Sequence, residues 1–322
     1  MKRLIIMVLI ILCPLIQEHS AKAEKYNHVS KPILQIPVLS DVHICGNPRR
    51  IEEKLICLTE RDDHFIRVLE DLQTVAPDYK AIAIVGDLTD QGLEIQYDKF
   101  MDLLFWAGNP RAERLLAIGN HEFFERKMWY KPALTEDDLM KRFQQKTYMG
   151  GIFYNKWIKG YHFIVLGSEG LNTSHPGSAN LSEAQFSWLE RTLKENTDDD
   201  KPIFVFLHQP IRNTVFGSQS REPDPVGKRL RNILRKYPQA ILFSGHSHYQ
   251  LKHPKNIYRD IFTMVNTGAI YYIVDEKGKN LEDSQGLVVN VYKDHVDIMA
   301  RDFSYRNWIN KFTIPLTKSN QK

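Results

Sequence analysis

Five short segments of this chain contain side chains of the types that hold metal ions in proteins. In chain order they are Asp41-Val42-His43, Gly86-Asp87-Leu88-Thr89-Asp90, Gly119-Asn120-His121-Glu122, Leu207-His208-Gln209-Pro210 and Gly245-His246-Ser247-His248. A mixed set of carboxylates and imidazoles suits Mn²⁺, Fe or Zn²⁺ better than Ca²⁺ or Mg²⁺, which prefer oxygen ligands. Any one of these segments occurs by chance in many proteins, whereas all five together predict a metal centre.

A centre of this kind has a defined chemistry when two metal ions share one carboxylate. The bridging carboxylate keeps the ions roughly 3.5–4 Å apart, and the pair lowers the pKa of a bound water toward about 7. The same ions hold the oxygens of a phosphoryl group and offset the charge of an in-line displacement. A nearby imidazole that does not bind metal can protonate the leaving alkoxide. The residue types therefore favour hydrolysis of phosphoric esters by a metal-bound hydroxide.

The elements that must bring these segments together are visible in the hydrophobic pattern. Strands are predicted at residues 33–39, 81–85, 114–118, 161–166, 203–207 and 240–243, and then strand-like hairpins at residues 261–266, 286–292 and 295–300. Helices are predicted at residues 64–74, 94–106, 181–195 and 226–236. This alternation predicts an α/β layered fold with a largely parallel core, in which ligands bind beyond the carboxyl ends of strands. Each of the five segments follows a strand, and glycines are expected where the backbone turns sharply.

The composition predicts one globular domain and gives no sign of nucleic-acid binding. The chain has 322 residues, 43% of them hydrophobic and 25% charged, which is enough for one large domain. The formal net charge is only +4, and no Lys/Arg block stands out. A phosphate must therefore be held locally, by metals or by a few placed side chains. We expect a single domain over residues 33–316, followed by a tail at residues 317–322.

The first 23 residues have the order of a secretory signal peptide. Two basic residues precede an apolar run, and Ala21-Lys22-Ala23 fits the small-residue cleavage rule. The run contains Pro14 and is shorter than the ~20 residues that span a bilayer, which argues against an uncleaved anchor. We therefore expect export to the cell envelope or the extracellular space, with residues 24–32 as a leader. Membrane contact is then expected only through the signal segment before cleavage.

Two cysteines remain after that segment, Cys45 and Cys57. An oxidising compartment would permit a disulfide between them, although two free thiols fit the sequence equally well.

The order and spacing of the five segments resemble those of the calcineurin-like metallophosphoesterase superfamily, from about residue 33 to residue 248. The resemblance implies a sandwich of two mixed β-sheets flanked by helices, with a dinuclear metal site at the carboxyl edge of the strands. It implies two divalent or mixed-valence ions of Mn, Fe or Zn. One ion would be bound by Asp41, His43 and His248, the other by Asn120, His208 and His246, and Asp87 would bridge the two. His121 would be the catalytic acid that protonates the leaving group.

Details of these segments bear on the branch of the superfamily. The run from Gly86 to Gly92, with Tyr97 beyond it, is similar to phosphodiesterases of the cyclic-nucleotide and glycerophosphodiester type. Purple acid phosphatases have a metal-binding tyrosine where this chain has Asp90, so that branch is disfavoured. Asp90 is expected either to orient a metal-binding imidazole or to cap a helix. Glu122 replaces a commoner aspartate, and because a carboxylate is kept we expect little effect.

Three functions compete for such a site. A phosphodiesterase needs an open cleft for two substituents, and its substrate would be a small-molecule or polymer phosphoester. A phosphomonoesterase such as a nucleotidase needs extra positive charge for the dianion, and no clamp is evident, since Arg212, Arg221 and Arg301 are interpreted as surface residues. A surface binding protein without catalysis would lack ligands or the acid, whereas all seven ligand positions and His121 are present. The phosphodiesterase is therefore preferred.

Overall fold

Strands and helices alternate through the computed structural model, which describes residues 31–45, 49–50, 55–56, 60–128, 133–196 and 201–316. Its strands are β1 (Leu34–Leu39), β2 (Arg49–Arg50), β3 (Leu55–Ile56), β4 (Ala81–Val85), β5 (Glu113–Ala117), β6 (Tyr154–Ile158), β7 (Tyr161–Val165), β8 (Ile203–Phe206), β9 (Ala240–Ser244), β10 (Ile257–Arg259), β11 (Thr263–Asn266), β12 (Ile273–Val274), β13 (Asn280–Leu281), β14 (Gln285–Val291), β15 (His295–Asp302) and β16 (Asn307–Pro315). Its helices are α1 (Glu60–Val75), α2 (Glu94–Trp106), α3 (Phe124–Met128), α4 (Glu136–Thr147), α5 (Glu183–Leu193) and α6 (Pro225–Leu234), with 3₁₀ turns at His121–Phe123 and Pro254–Asn256.

Several predictions concern segments outside this description. The signal peptide, most of the leader, the tail at residues 317–322 and Cys57 all lie outside the described residues. Cys45 is described, and it forms a disulfide. Within the described ranges, no helix is long and apolar enough to cross a membrane.

Two six-stranded mixed sheets form the centre of the fold. The first has the order β16-β15-β14-β1-β4-β5, and only β1, β4 and β5 run parallel to one another. The second has the order β10-β11-β9-β8-β7-β6, in which β11, β9, β8 and β7 are parallel and the two edge strands are antiparallel. The α/β class with two mixed sheets is confirmed. The last three strands of the first sheet form an antiparallel meander, in keeping with the hairpins predicted at residues 286–292 and 295–300.

The two sheets pack face to face through alternate residues of their strands. On β4, Ala81, Ala83 and Val85 lie in the cluster between the sheets, where Phe163 and Phe204 of the second sheet also lie. Successive side chains of a strand point to opposite faces, so the intervening residues of β4 must face outward. This explains why β4 is apolar at every position: it is buried on both sides.

Helices cover the outer face of each sheet. Ile82 and Ile84 of β4 share a buried cluster with Phe65 of α1 and Phe100 of α2, whose rings stack 5.4 Å apart. On the second sheet, Val205 of β8 shares a cluster with residues of α5 and α6. The fold therefore has four layers, helices–sheet–sheet–helices.

A buried ion pair ties α1 to the meander of the first sheet. The Arg301 guanidinium donates to both carboxylate oxygens of Asp71, at 2.8 and 3.0 Å, and lies 4.9 Å over the ring of Trp308. Both charged residues are buried. The interpretation of Arg301 as a surface residue is therefore wrong, and its guanidinium is already paired with a carboxylate.

Replacing this arginine should destabilise the fold. Arg301→Met leaves the buried Asp71 carboxylate without its partner, so we expect the free energy of unfolding to fall by about 3–5 kcal/mol. Equilibrium denaturation in urea measures the change. The double variant Asp71→Leu/Arg301→Met removes both charges and should regain most of the lost stability. An Arg301→Met variant as stable as the wild-type protein would contradict this account.

Candidate metal centre

The five segments converge because the strands that precede them are neighbours. Asp41 and His43 follow β1, Asp87 follows β4, and Asn120 follows β5, and these three parallel strands are adjacent in the first sheet. In the second sheet, His208 follows β8, and His246 and His248 follow the adjacent strand β9. The carboxyl ends of both parallel sets therefore meet at one edge of the sandwich, as the sequence predicted for open α/β sheets.

One group of possible metal ligands contains Asp41, His43 and His248, all of them buried. The Nε2 of His248 lies 3.1 Å from Oδ1 of Asp41 and 3.2 Å from Nε2 of His43. The other carboxylate oxygen of Asp41 is held by the Ser40 hydroxyl at 2.6 Å and by the backbone N–H of His246 at 3.0 Å. Asp41 is thereby fixed with one oxygen directed at the two imidazoles.

A second group contains Asp87, His208 and His246. The Nε2 of His208 lies 3.1 Å from Oδ2 of Asp87 and 3.2 Å from Oδ1 of Asn120. The same Oδ2 of Asp87 lies 3.8 Å from Nε2 of His43 in the first group. One oxygen of Asp87 therefore faces both groups, which is the position that a bridging carboxylate occupies.

These spacings match those expected of ligands that share a metal ion. Two ligand atoms about 2.1 Å from one ion, at tetrahedral or octahedral angles, are about 3.0–3.4 Å apart. The ligand-atom separations of 3.1 and 3.2 Å in both groups fall in this range. The donor set of imidazoles, carboxylates and one amide oxygen also suits Mn, Fe or Zn. The residues present thus fit the two ions that the sequence predicts.

Backbone carbonyls orient three of the imidazoles. The Nδ1 of His208 bonds to the Val85 carbonyl at 2.8 Å, and the Nδ1 of His248 bonds to the Tyr272 carbonyl at 3.0 Å. A carbonyl only accepts, so each Nδ1 carries a hydrogen and Nε2 is the ring nitrogen left to face the centre. His121 is held in the same way, with Nδ1 2.7 Å from the Asp90 carbonyl.

The electrostatics of the centre favour positive charge. Burial raises the pKa of Asp41 and Asp87, but the imidazoles of His248 and His208 lower it more, so both carboxyls have pKa values below their usual range. Burial lowers the pKa of His208, yet Asp87 and Asp41 outweigh burial and raise it to about 10. Two buried carboxylates thus remain ionised and attract cations to the space between them.

The backbone of the centre is strained at most of the predicted ligands. Five of the seven have a left-handed φ between 50° and 66°, namely Asp41, His43, Asp87, His246 and His248. A non-glycine residue in this region costs of order 1 kcal/mol and persists only where the surroundings enforce it. Such strain clusters at functional sites, and here it turns each side chain from the strand end into the shared space.

At two positions a glycine is required, because a carboxylate from a neighbouring loop lies where a Cβ atom would be. Gly119 and Gly245 lack a left-handed φ, in contrast to the sharp turns that the sequence suggested. A Cβ on Gly119 would lie 2.2 Å from Oδ1 of Asp87, and one on Gly245 would lie 2.4 Å from Oδ2 of Asp41. Each glycine therefore leaves room for the carboxylate of a neighbouring loop.

Glu122 connects the loops that follow β4 and β5. Its fully buried carboxylate accepts the backbone N–H groups of Asp87, Thr89 and Gly119 at 2.7–3.1 Å, and also the Thr89 hydroxyl at 3.0 Å. Burial and Asp87 raise the pKa of Glu122 to about 7, and the N–H donors of Thr89 and Gly119 oppose that rise. The sequence predicted only that a carboxylate at this position would keep the role of the commoner aspartate, and the structure shows this carboxylate anchoring the Asp87 loop.

His121 forms a third group of possible metal ligands with His43 and Asp87, and Asp90 lies beside it. The His121 side chain is 25% exposed, and its Nε2 lies 3.9 Å from Oδ2 of Asp87. Asp90 reaches His121 through its backbone carbonyl, while its carboxylate is 3.9 Å from Nδ1 of His43, longer than a hydrogen bond. Asp90 does not cap α2, whose N-cap is Leu93. The contact that Asp90 makes through its main chain is with His121, which was not among the predicted metal ligands, and the predicted orienting of a metal-binding imidazole stays a prediction.

The sequence also matches known proteins. Residues 34–250 match the family model described as calcineurin-like phosphoesterase. A 3′,5′-cyclic-nucleotide phosphodiesterase from Nostoc sp. is 19% identical over 227 residues, which is 69% of this chain and 74% of that protein. Purple acid phosphatase 23 of Arabidopsis thaliana is 22% identical over 242 residues, or 70% of this chain. The chain spans about half of that phosphatase, 48% of its length.

Two solved structures share the fold. A dimetal phosphatase from Danio rerio superposes with a TM-score of 0.60 at 12% identity, covering 89% of this chain and 100% of that one. Purple acid phosphatase PPD1 from Lupinus luteus superposes with a TM-score of 0.59 at 13% identity, covering 89% of this chain and 54% of that one. At these identities the likeness concerns the fold alone.

The Glu122 anchor can be tested through metal affinity. Glu122→Gln places an amide NH₂ against backbone N–H donors, so the Asp87 loop should lose its position and Zn²⁺ affinity should fall about 10–100-fold. A competition titration with a chromogenic chelator measures this. Glu113→Gln is the matched control, because Glu113 is exposed at the other end of β5 and pairs with Lys156 on the surface. Equal Zn²⁺ affinities for the two variants would show that Glu122 does not position the metal ligands.

Proposed function

Because the chain belongs to the calcineurin-like phosphoesterase family and is therefore a metal-dependent hydrolase of phosphoric esters, we propose that its substrates are phosphodiesters. The observation that carries this proposal is a cavity of about 400 Å³ beside the centre, bordered by Asn120 and His246. None of the described residues that line it is Lys or Arg. A phosphodiester has a second neutral substituent to place in such a cavity, whereas a monoester has further negative charge to neutralise.

Two candidates for a phosphate clamp, Arg212 and Arg301, are engaged within the protein. Arg212 donates to the carbonyls of Pro223 at 3.0 Å and Pro176 at 2.6 Å, so it holds two loops together. Arg301 is paired with Asp71. The name of the Nostoc relative, a cyclic-nucleotide phosphodiesterase, points the same way. A phosphomonoesterase acting at the same centre remains the second candidate, because purple acid phosphatases are among the relatives.

We assign the residues of the centre as follows. Asp41, His43 and His248 would hold one ion, Asn120, His208 and His246 the other, and Asp87 both. When bound, the two ions supply an acidified water and neutralise charge on the phosphoryl oxygens. The protein contributes the fixed orientation of these side chains, through Glu122 and the carbonyls described above.

His121 is proposed to protonate the leaving alkoxide. Its Nδ1–H is engaged by the Asp90 carbonyl, and its Nε2 lies 3.9 Å from Oδ2 of Asp87 on a side chain that is 25% exposed. A proton held on Nε2 can therefore reach a substrate oxygen without competing for a backbone partner. The side chain packs against the ring of Phe124 at 4.2 Å, which fixes its plane.

We also propose that the protein acts outside the cytoplasm. The order of residues 1–23 supports this, and so does the disulfide of Cys45, because disulfides persist in oxidising compartments.

The diester preference can be measured directly. With Mn²⁺ supplied, kcat/KM on bis-p-nitrophenyl phosphate should exceed that on p-nitrophenyl phosphate by at least about tenfold, a difference of ~1.4 kcal/mol in transition-state stabilisation. Both substrates release the same phenol, so they differ in charge and in the second substituent. A preference for the monoester would favour a phosphatase or nucleotidase.

The role of His121 predicts a dependence on the leaving group. His121→Ala should retain two bound ions by elemental analysis, and should lose about 10²–10⁴ in kcat on an ester with a poor alkoxide leaving group. The loss should be smaller for p-nitrophenolate, which is stable without a proton. His295→Ala is a control, since His295 lies at a distant position on β15 beside Asp294. Loss of an ion from His121→Ala would instead make His121 a ligand.

A further inference from the structure

Two consecutive tyrosines, Tyr271 and Tyr272, pack against imidazoles of the first group of metal ligands. The ring centroid of Tyr272 lies 4.2 Å from that of His248. The ring centroid of Tyr271 lies 5.6 Å from that of His43. The two tyrosine rings meet edge to face, 4.9 Å apart with 86° between their planes. They form one aromatic surface beside the centre, which we call the tyrosine pair.

The tyrosine pair is more accessible than the imidazoles against which it packs. His43 and His248 are only 3% and 6% exposed, whereas both tyrosines are partly exposed. The ring of His121, which is also partly exposed, lies 4.3 Å from that of His43. An ester bound at an ion held by His43 and His248 can therefore contact the tyrosine rings from the solvent side.

Backbone hydrogen bonds hold the tyrosine pair in place. The N–H of Tyr271 donates to the Asp41 carbonyl at 3.0 Å, and the Tyr272 carbonyl accepts the Nδ1–H of His248 at 3.0 Å. The N–H of Val274 donates to the His248 carbonyl at 2.8 Å. The segment is thus bonded to both loops that carry the first group of ligands, so its position relative to the centre is fixed before a ligand binds.

The cavity described above lies beside the other assigned ion. It is bordered by Asn120 and His246, and neither tyrosine is among the residues that line it. The centre therefore has two separate surfaces for an ester, one next to each assigned ion. A phosphodiester bound to both ions has one substituent for each surface, whereas a monoester has a single substituent. An aromatic surface binds a flat apolar group by stacking, which changes affinity roughly 2–10-fold beyond the effect of burial.

We propose that Tyr271 and Tyr272 are specificity-determining residues, which bind one substituent of a phosphodiester through a flat apolar face while the cavity holds the other substituent. The substrate is then an acyclic diester with two separate substituents, at least one of which presents such a face. This inference rests on the proposed phosphodiesterase function for its place in catalysis, whereas the binding of a diaryl anion at the tyrosine pair does not.

Two phosphinate anions test the site without turnover, because their P–C bonds are not esters. Isothermal titration of the Zn²⁺-loaded full chain should show that diphenylphosphinate binds at least about tenfold more tightly than dimethylphosphinate. Tyr271→Leu and Tyr272→Leu should each reduce this preference about fivefold, since leucine keeps an apolar contact with the imidazole but lacks the flat ring. Tyr305→Leu is the matched control, because Tyr305 is 70% exposed in the turn between β15 and β16. An unchanged preference in both Tyr271→Leu and Tyr272→Leu would overturn the proposal.

Zn²⁺ affinity distinguishes contact with the ester from support of the metal ligands. In a competition titration with a chromogenic chelator, Tyr271→Leu should bind Zn²⁺ nearly as tightly as the wild-type protein. A residue that only orients metal ligands would instead lower Zn²⁺ affinity about 10–100-fold when replaced. A loss of Zn²⁺ affinity as large as the loss of diphenylphosphinate affinity would therefore overturn the proposal.

Hydrolysis supplies the last test. On bis-p-nitrophenyl phosphate, Tyr271→Leu should raise KM about fivefold and leave kcat nearly unchanged, since the ring binds the ground state and the transition state alike. If this ester is not hydrolysed while diphenylphosphinate binds in a Tyr271-dependent manner, the proposed function fails and the tyrosine site stands. If Tyr271→Leu hydrolyses the ester with the KM of the wild-type protein, the tyrosine site fails and the phosphodiesterase function stands.

Discussion

The fold places two ionised carboxylates, Asp41 and Asp87, in a buried space where the ends of two sheets meet. Buried charges of like sign are costly unless cationic groups lie between them, and here imidazoles surround them at 3.1–3.9 Å. The pKa of His208 rises to about 10 for this reason. The negative potential of the two carboxylates favours a protonated imidazole and also attracts divalent cations. The centre is therefore stable only when positive charge lies between the carboxylates.

Much of the local structure follows from bringing these groups together. The side chains at the ends of β1, β4 and β9 must turn back toward one point, and the left-handed φ of five ligands is the cost of doing so. Glu122 offsets part of that cost by holding the Asp87 loop through three backbone N–H groups. The apolar layers on both sides of β4 provide the rigidity against which this strain is maintained. The packed sheets thus supply the stability that offsets the backbone strain at the metal centre.

The sequence predicted those features that depend on the pattern of residues within one segment, and missed those that depend on contacts between distant segments. The strand Ala81–Val85 and the helix Glu94–Trp106 were predicted with the observed bounds, because one is continuously apolar and the other is amphipathic. Helix α4 was missed although Thr135 and Asp138 form a capping box before it. Strands β6 and β16 were missed because they lie at sheet edges, where half-exposed residues blur the pattern. The ligand types were visible in sequence, whereas the anchoring role of Glu122 arises from contacts with residues 33 and 35 positions away.

The cavity beside the centre shows why the metal ligands alone do not determine which phosphoric ester is bound. The ligands come from strand ends, which the two sheets position, but the cavity wall comes from the loop between β7 and α5 and from Gln209, which follows a ligand. Loops of this kind can change without disturbing the sheets, since their hydrogen bonds are largely internal. The reaction class is therefore determined by the sandwich edge. The cavity beside that edge is lined by the loop between β7 and α5 and by Gln209, so the preference among phosphoric esters can change there while the metal ligands keep their positions.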